Sequence, residues 1–144
     1  CDSLFEHGFV YVDVEGYIHA LLTGQDRREQ IASLQPQMDQ AQVLQLRAAV
    51  ERIHASEALV DYVLALLARS RSHPGIETGL STRAGLALLR AARALALLSG
   101  RRHVLPDDVQ ALFVPVAAHR LVPAADAGSG PALAQAVLDS VAVD

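Results

Sequence analysis

Along most of this chain, apolar residues recur three or four positions apart, the spacing that gathers them on one side of a helix. Val43, Leu46, Val50 and Ile53 follow it in "AQVLQLRAAVERIH", a helix expected to begin at Asp39 with Gln42 as its cap partner. Leu59, Tyr62, Val63, Leu66 and Leu67 follow it in "EALVDYVLALLARS". Ser56 precedes that run, and its hydroxyl can accept from an unpaired first-turn amide. "RSHPGIETG" breaks the pattern with Pro74 and two glycines and reads as a loop. Ser81 then caps a long helix that reaches about Ser99 and closes at Gly100. Its leucines at 86, 88, 89, 95 and 98 surround nearly the whole circumference, which predicts the central helix of a bundle. "LPDDVQALFVPVAAHRL" starts another helix, with Pro106 at the first position and two acids in the first turn. Pro115 should kink it or divide it. Beyond "PAADAGSG", a flexible connector, "PALAQAVLDSVAV" is a last amphipathic helix with Leu133, Val137 and Leu138 as its buried positions.

The front of the chain reads differently. "FVYVDV", residues 9–14, is β-branched and aromatic and is the one convincing strand signal. A lone strand leaves its edges unpaired, so it should pair outside this chain or only weakly within it. Two short helical stretches follow, "EGYIHALLTG" closed by Gly24 and "DRREQIASL" ended by Pro36. The expected fold is all-α: a helical bundle with one short N-terminal strand and a loosely attached C-terminal helix.

Composition narrows the chemistry. A chain of 144 residues that is 51% hydrophobic can bury an ordinary single core, and with 4% aromatics and no Trp that core must be Leu, Ala and Val. Net charge is -4, and all twelve positive charges are Arg because the chain has no Lys; it also has no Asn. A phosphate loop of the Walker type and a Schiff base both need Lys, and N-glycosylation needs Asn, so all three are excluded. No basic excess or patch points to nucleic acid. Cys1 is the only cysteine, which rules out an internal disulfide and a Cys-rich zinc site and makes the reducing cytoplasm the simplest compartment. A chain opening on Cys without an initiator Met is expected to be processed or cut from something larger. The longest uncharged apolar runs fall far short of the ~20 residues of a membrane span, so no transmembrane helix is expected.

Arg83 stands out because it lies in the first turn of the long helix, where the dipole is already positive and backbone amides are unpaired. A guanidinium and amides together suit an oxyanion. The structural alternative is a local pair with Glu77. Arg90 lies seven residues on, along the same face, with Arg93 a further turn away, and both read as a solvated stripe. Asp107 and Asp108 are read as helix-capping acids rather than a catalytic or metal-binding pair. The six histidines show no i, i+4 spacing, so no metal site is expected. No G-x-S-x-G elbow is present.

The stretch "GLSTRAGLALLRAARALALLSGRRHVLPDDVQAL", followed by "AAHRL", resembles the C-terminal helical lid of MoxR-type AAA+ ATPases, relatives of the magnesium-chelatase ATPase subunit. "SEALVDYVLALLARSR" resembles the preceding lid helix and "DRREQIASLQP" the connector before it. The likeness covers roughly residues 16 to 122. It implies three parts: residues 1–15 as a remnant of the nucleotide-binding core with its strand, 16–123 as the lid, and 124–144 as connector and last helix. It also implies that Arg83, in Ser-x-Arg-Ala, is the sensor 2 arginine that reaches the terminal phosphates of ATP. The parent protein would then be an ATP hydrolase using ATP and Mg2+, while this fragment, lacking a phosphate loop, is inactive alone and holds no cofactor. Implied partners are the core of the same parent chain, neighbouring subunits of a ring, expected to be a hexamer, and a von Willebrand factor A-type protein, in chaperone-like remodelling. Two positions depart from the family. Where the family has Asp-Arg-Phe before the strand, Glu6, His7 and Gly8 stand, which leaves an arginine finger without a counterpart; and Leu105 replaces a capping Thr.

A competing reading is a self-contained helical module that binds a partner through an apolar groove and never meets nucleotide. The two differ in surface. A self-contained bundle should be packed on every apolar face, whereas a lid should expose an apolar patch around the strand and the Arg83 end.

Overall fold

The computed structural model describes residues 36–143 together with His19, which is helical. The strand expected at residues 9–14 and the helix expected at 26–34 lie outside the described residues. Gln40–Asp144 form one compact unit. Its elements are α1 (Gln40–Glu51), α2 (Glu57–Ser72), β1 (Ile76–Thr78), α3 (Thr82–Leu98), α4 (Pro106–Ala117), β2 (Val122–Pro123) and α5 (Gly130–Asp139). The unit is helical, as expected. Its only sheet among the described residues is the antiparallel pair of β1 and β2, with Ile76 opposite Pro123 and Thr78 opposite Val122.

Local chemistry sets the helix ends. Ser56 accepts from the Leu59 amide at 3.2 Å and Ser81 from the Ala84 amide at 3.3 Å, and each serine is extended, as a cap requires. Gly100 takes φ 72°, the left-handed turn that stops α3. Pro106 occupies the first turn of α4. All four residues were marked by the sequence.

The core lies among α2, α3, α4 and α5. From α2 come Leu59, Tyr62, Val63, Leu66 and Leu67, the face its spacing predicts. From α4 come Val109, Phe113 and Ala117, four apart, with Phe113 completely buried; truncating it to Ala should cost about 3–5 kcal/mol. The connectors are also tied: the His54 amide donates to Arg102 O at 3.0 Å and the Val104 amide to His54 O at 2.9 Å, a parallel bridge between the α1–α2 and α3–α4 loops.

Four expectations need correction. First, α1 buries no residue: Val43 and Leu46 are exposed, Val50 is half-buried, and Ile53 is buried only beyond the helix end. The C-terminal half of α1 is what meets α3, where Arg47, Val50 and Glu51 share a cleft with Arg90 and Ala94. Second, α3 is central, touching α1, α2 and α4, but its leucines do not all face inward. Its buried stripe is Ala84, Leu88, Ala92 and Ala96, with Gly85, while Leu86 is 65% and Leu98 84% exposed. Small residues let neighbouring helices approach; a Cβ on Gly85 would lie 2.6 Å from Leu67 Cδ1.

Third, Pro115 does not divide α4, which runs through it and ends two residues later at Ala117. A proline so near the end forfeits one backbone bond without breaking the element. Fourth, the last helix is not loosely attached. Leu133, Ala134 and Val137 of α5 are buried against α4 and α2, Arg69 Nε donates to Ser140 Oγ at 3.0 Å, and a Cβ on Gly130 would collide with the Ala118 carbonyl oxygen. Its apolar stripe is short but complete, and α2 and α4 leave a matching groove.

Candidate functional site

The start of α3 is built from the end of α2. Ser70, completely buried, donates its hydroxyl to Leu67 O at 2.7 Å and accepts from the Leu80 amide at 2.9 Å. The next residue, Arg71, donates from Nε to Leu80 O at 2.8 Å. Both backbone groups of Leu80 are therefore held by consecutive residues of α2. Between them Gly79 passes so close that a Cβ there would lie 2.7 Å from Arg71 Cα and 2.8 Å from Arg71 N. Only glycine fits against that backbone. Ser81 then caps α3, and Arg83 is its second residue.

Arg83 is exposed. Among the described residues the ion pairs join Arg90 and Arg93 to Glu51 and Arg101 to Asp108, so Arg83 has no acidic partner and the local pair with Glu77 does not form. Among the described residues the amides of Thr82 and Arg83 meet no acceptor, since the capping bonds begin at Ala84. A guanidinium thus stands beside two free N–H donors at the positive end of a seventeen-residue helix. An apolar surface adjoins it. Val60, Leu64 and Leu86 are exposed, Leu64 at 54%, and with Leu67, Thr82 and Gly85 they line a cleft of about 90 Å³. The helix start is thus bordered by an exposed apolar face, as expected for the Arg83 end; the strand side of that expectation lies outside the described residues.

The other arginines behave differently. Arg90 is solvated as expected, its side chain 73% exposed, while Arg93 is mostly covered; both reach the Glu51 carboxylate of α1, Arg90 Nε at 3.2 Å and Arg93 Nη1 at 3.7 Å. At the start of α4, Arg101 makes a two-pronged contact with Asp108, 2.7 Å from Nη1 and 2.6 Å from Nη2. Asp108 is buried and also accepts from the Leu105 amide at 2.8 Å. Its capping role is as expected, although Leu105 itself offers no side-chain cap. The Arg101 hydrogen bonds, foremost, hold the Asp108 carboxyl below the ordinary aspartate range, against the opposing effect of burial, and Asp108 in turn raises Arg101. Among the described residues Asp107 makes no ion pair.

Sequence reading missed Glu51, Ser70, Arg71 and Gly79. Gly79 carried the one available signal, as a glycine in the loop just before the cap. Among the described residues, no group of three His, Cys, Asp or Glu side chains gathers as a metal site, and no helix is long and apolar enough to cross a membrane.

Comparison with known proteins accounts for this arrangement. The model of the AAA lid domain family matches residues 68–140, half of the chain, including α3, α4 and α5. YeaC of Bacillus subtilis is 31% identical over 102 residues, covering 71% of this chain and 32% of YeaC. The protein MoxR of Paracoccus denitrificans is 42% identical over 81 residues, 47% of this chain and 24% of MoxR. The chaperone MoxR1 of Mycobacterium tuberculosis is 39% identical over 93 residues, 58% of this chain and 24% of MoxR1. The chain therefore spans a quarter to a third of these relatives. A crystal structure of a "putative ATPase" from Cytophaga hutchinsonii shares the fold, with a TM-score of 0.75 at 24% identity over 94% of this chain and 45% of that one. The chain belongs to the AAA lid domain family and is a lid of the MoxR type of AAA+ ATPase.

Proposed function

We propose that this lid serves an ATP hydrolase and that Arg83 is its sensor 2 arginine, meeting the terminal phosphates of ATP held by a separate core. The observation that carries this reading is the exposed guanidinium at the start of α3, where helix polarity already disfavours a cation and no acid among the described residues pairs with it. Polyphosphate is the ligand that makes the placement favourable, and the free Thr82 and Arg83 amides suit the same charge. When bound, ATP would supply the phosphoryl group and Mg2+ would offset the charge of its phosphates, held by residues of the separate core. Arg83 stabilises charge on the terminal phosphate, and the apolar face of Val60, Leu64 and Leu86 rests against the core, so lid position follows nucleotide state.

In this reading the parent protein is cytoplasmic and works as a ring, with neighbouring subunits and a von Willebrand factor A-type protein as partners, in chaperone-like remodelling. The name of the M. tuberculosis relative, a chaperone, supports that last element. The deciding experiment compares ATP turnover by the parent protein with and without Arg83→Ala, alongside the melting temperature of the isolated lid. A strong loss of turnover at unchanged melting temperature supports the sensor role. Equal turnover overturns it and favours a helical interaction module without a nucleotide role.

A further inference from the structure

We infer that Ser70 and Arg71 are positioning residues for Arg83: together they clamp both backbone groups of Leu80 and so fix where the first turn of α3 presents its guanidinium. The inference rests on the sensor reading of Arg83 and deepens it. Three contacts converge on two consecutive positions at the end of α2. The Ser70 hydroxyl, buried, takes the Leu80 amide at 2.9 Å and anchors itself on Leu67 O at 2.7 Å. Arg71 Nε holds Leu80 O at 2.8 Å. The Gly79 backbone lies against that of Arg71, with no room for a side chain.

Leu80 adjoins the cap residue Ser81, and Arg83 is two residues further. With the Leu80 amide and carbonyl both fixed, the peptide planes leading into Ser81 cannot rotate freely, and the cap sets the direction of α3 from its first residue. The Ser70 bonds are buried, so water cannot replace the lost partner of the Leu80 amide. Arg71 is exposed apart from this bond and pairs with no acid among the described residues, so holding Leu80 O is the role the structure gives its guanidinium. A displacement of the helix start by about 1 Å is enough to disturb a phosphate contact by an order of magnitude or more in rate.

The test is steady-state ATP hydrolysis by the full-length parent ATPase, measuring kcat and KM for Mg-ATP in Arg83→Ala, Ser70→Ala, Arg71→Ala, Arg71→Lys and the double variant Ser70→Ala with Arg83→Ala. We expect Ser70→Ala and Arg71→Ala each to lower kcat by about tenfold. Arg71→Lys, which keeps a donor for Leu80 O, should recover most of that loss, and Ser70→Ala should add nothing once Arg83 is gone. Thermal melts accompany each variant; if Ser70→Ala does not fold, the exposed Arg71 pair carries the same comparison, with Arg71→Ala placed on the Arg83→Ala background. A loss of kcat that is equally large with and without Arg83 means that the clamp acts on structure generally and overturns the inference. So does unchanged kcat in both clamp variants when Arg83→Ala is impaired. Unchanged turnover in Arg83→Ala overturns the sensor reading itself, and the inference with it.

Discussion

Two helices of the core, α3 and α4, start in opposite ways. At α4 everything needed is inside the domain: Pro106 at the first position, Asp108 over the Leu105 amide, and Arg101 closing on Asp108 with two hydrogen bonds. At α3 a serine caps the backbone, but the charge added to the first turn is a cation with no acid to meet it. The start of α4 is electrostatically closed and the start of α3 is open. A domain stabilised only for its own sake would place an acid at both. The difference separates a helix start closed within the domain from the one to which the proposed function assigns a ligand.

Exchanging effects between the two helix starts gives the sharpest tests. The largest separation should appear in ATP turnover of the parent protein: Arg83→Ala lowers kcat by about 100-fold, whereas Asp108→Ala stays within about twofold of wild type. Stability should invert that order. Asp108→Ala removes the Arg101 contact and the Leu105 cap together and should cost about 2 kcal/mol in chemical denaturation of the isolated lid, while Arg83→Ala leaves the midpoint nearly unchanged.

Acid should act on the start of α4. Because the folded Asp108 carboxyl titrates below its unfolded value, its contribution is fully present above the unfolded aspartate pKa and is lost as pH falls through the folded one. Denaturation midpoints of wild type and Asp108→Asn should therefore converge as the pH drops below that of an ordinary aspartate. A difference that persists unchanged into strong acid would show that the carboxylate charge is not what matters.

Smaller effects refine the contrast. Leu105→Thr supplies the missing side-chain cap and should stabilise the lid by about 1 kcal/mol without altering turnover. Arg83→Glu should also stabilise the isolated lid, by about 0.5 kcal/mol, because an acid suits the positive helix end. If the glutamate instead destabilises, Arg83 has an internal partner and the open end of the comparison fails.

The features legible in the sequence are those decided within a few residues. Ser56, Ser81, Gly100 and Pro106 act on their own helix ends, and the buried face of α2 follows from its own spacing. Arg83 was legible for the same reason, since a helix start can be judged locally. What was hidden depends on partners far along the chain. Ser70 reads as an ordinary helix residue until Leu80 folds back onto it, and Glu51 as a surface acid until α1 brings it to Arg90 and Arg93. Spacing also cannot tell which apolar face finds a cover: Val43 and Leu46 repeat as regularly as Leu59 and Leu66, yet only the second pair is buried. The last helix showed the converse, with a short apolar stripe docked through Leu133 and Val137 in a groove that no local pattern reveals.

The bridge between His54 and Arg102–Val104 has a mechanical consequence. It joins the two interhelical turns at one end of the bundle by backbone alone, so substitution of side chains does not undo it. A torque applied to α3 through its first turn is shared with the α1–α2 connector and cannot dissipate by splaying one hairpin from the other. In the proposed reading, a push at the Arg83 end would then reach both connectors together.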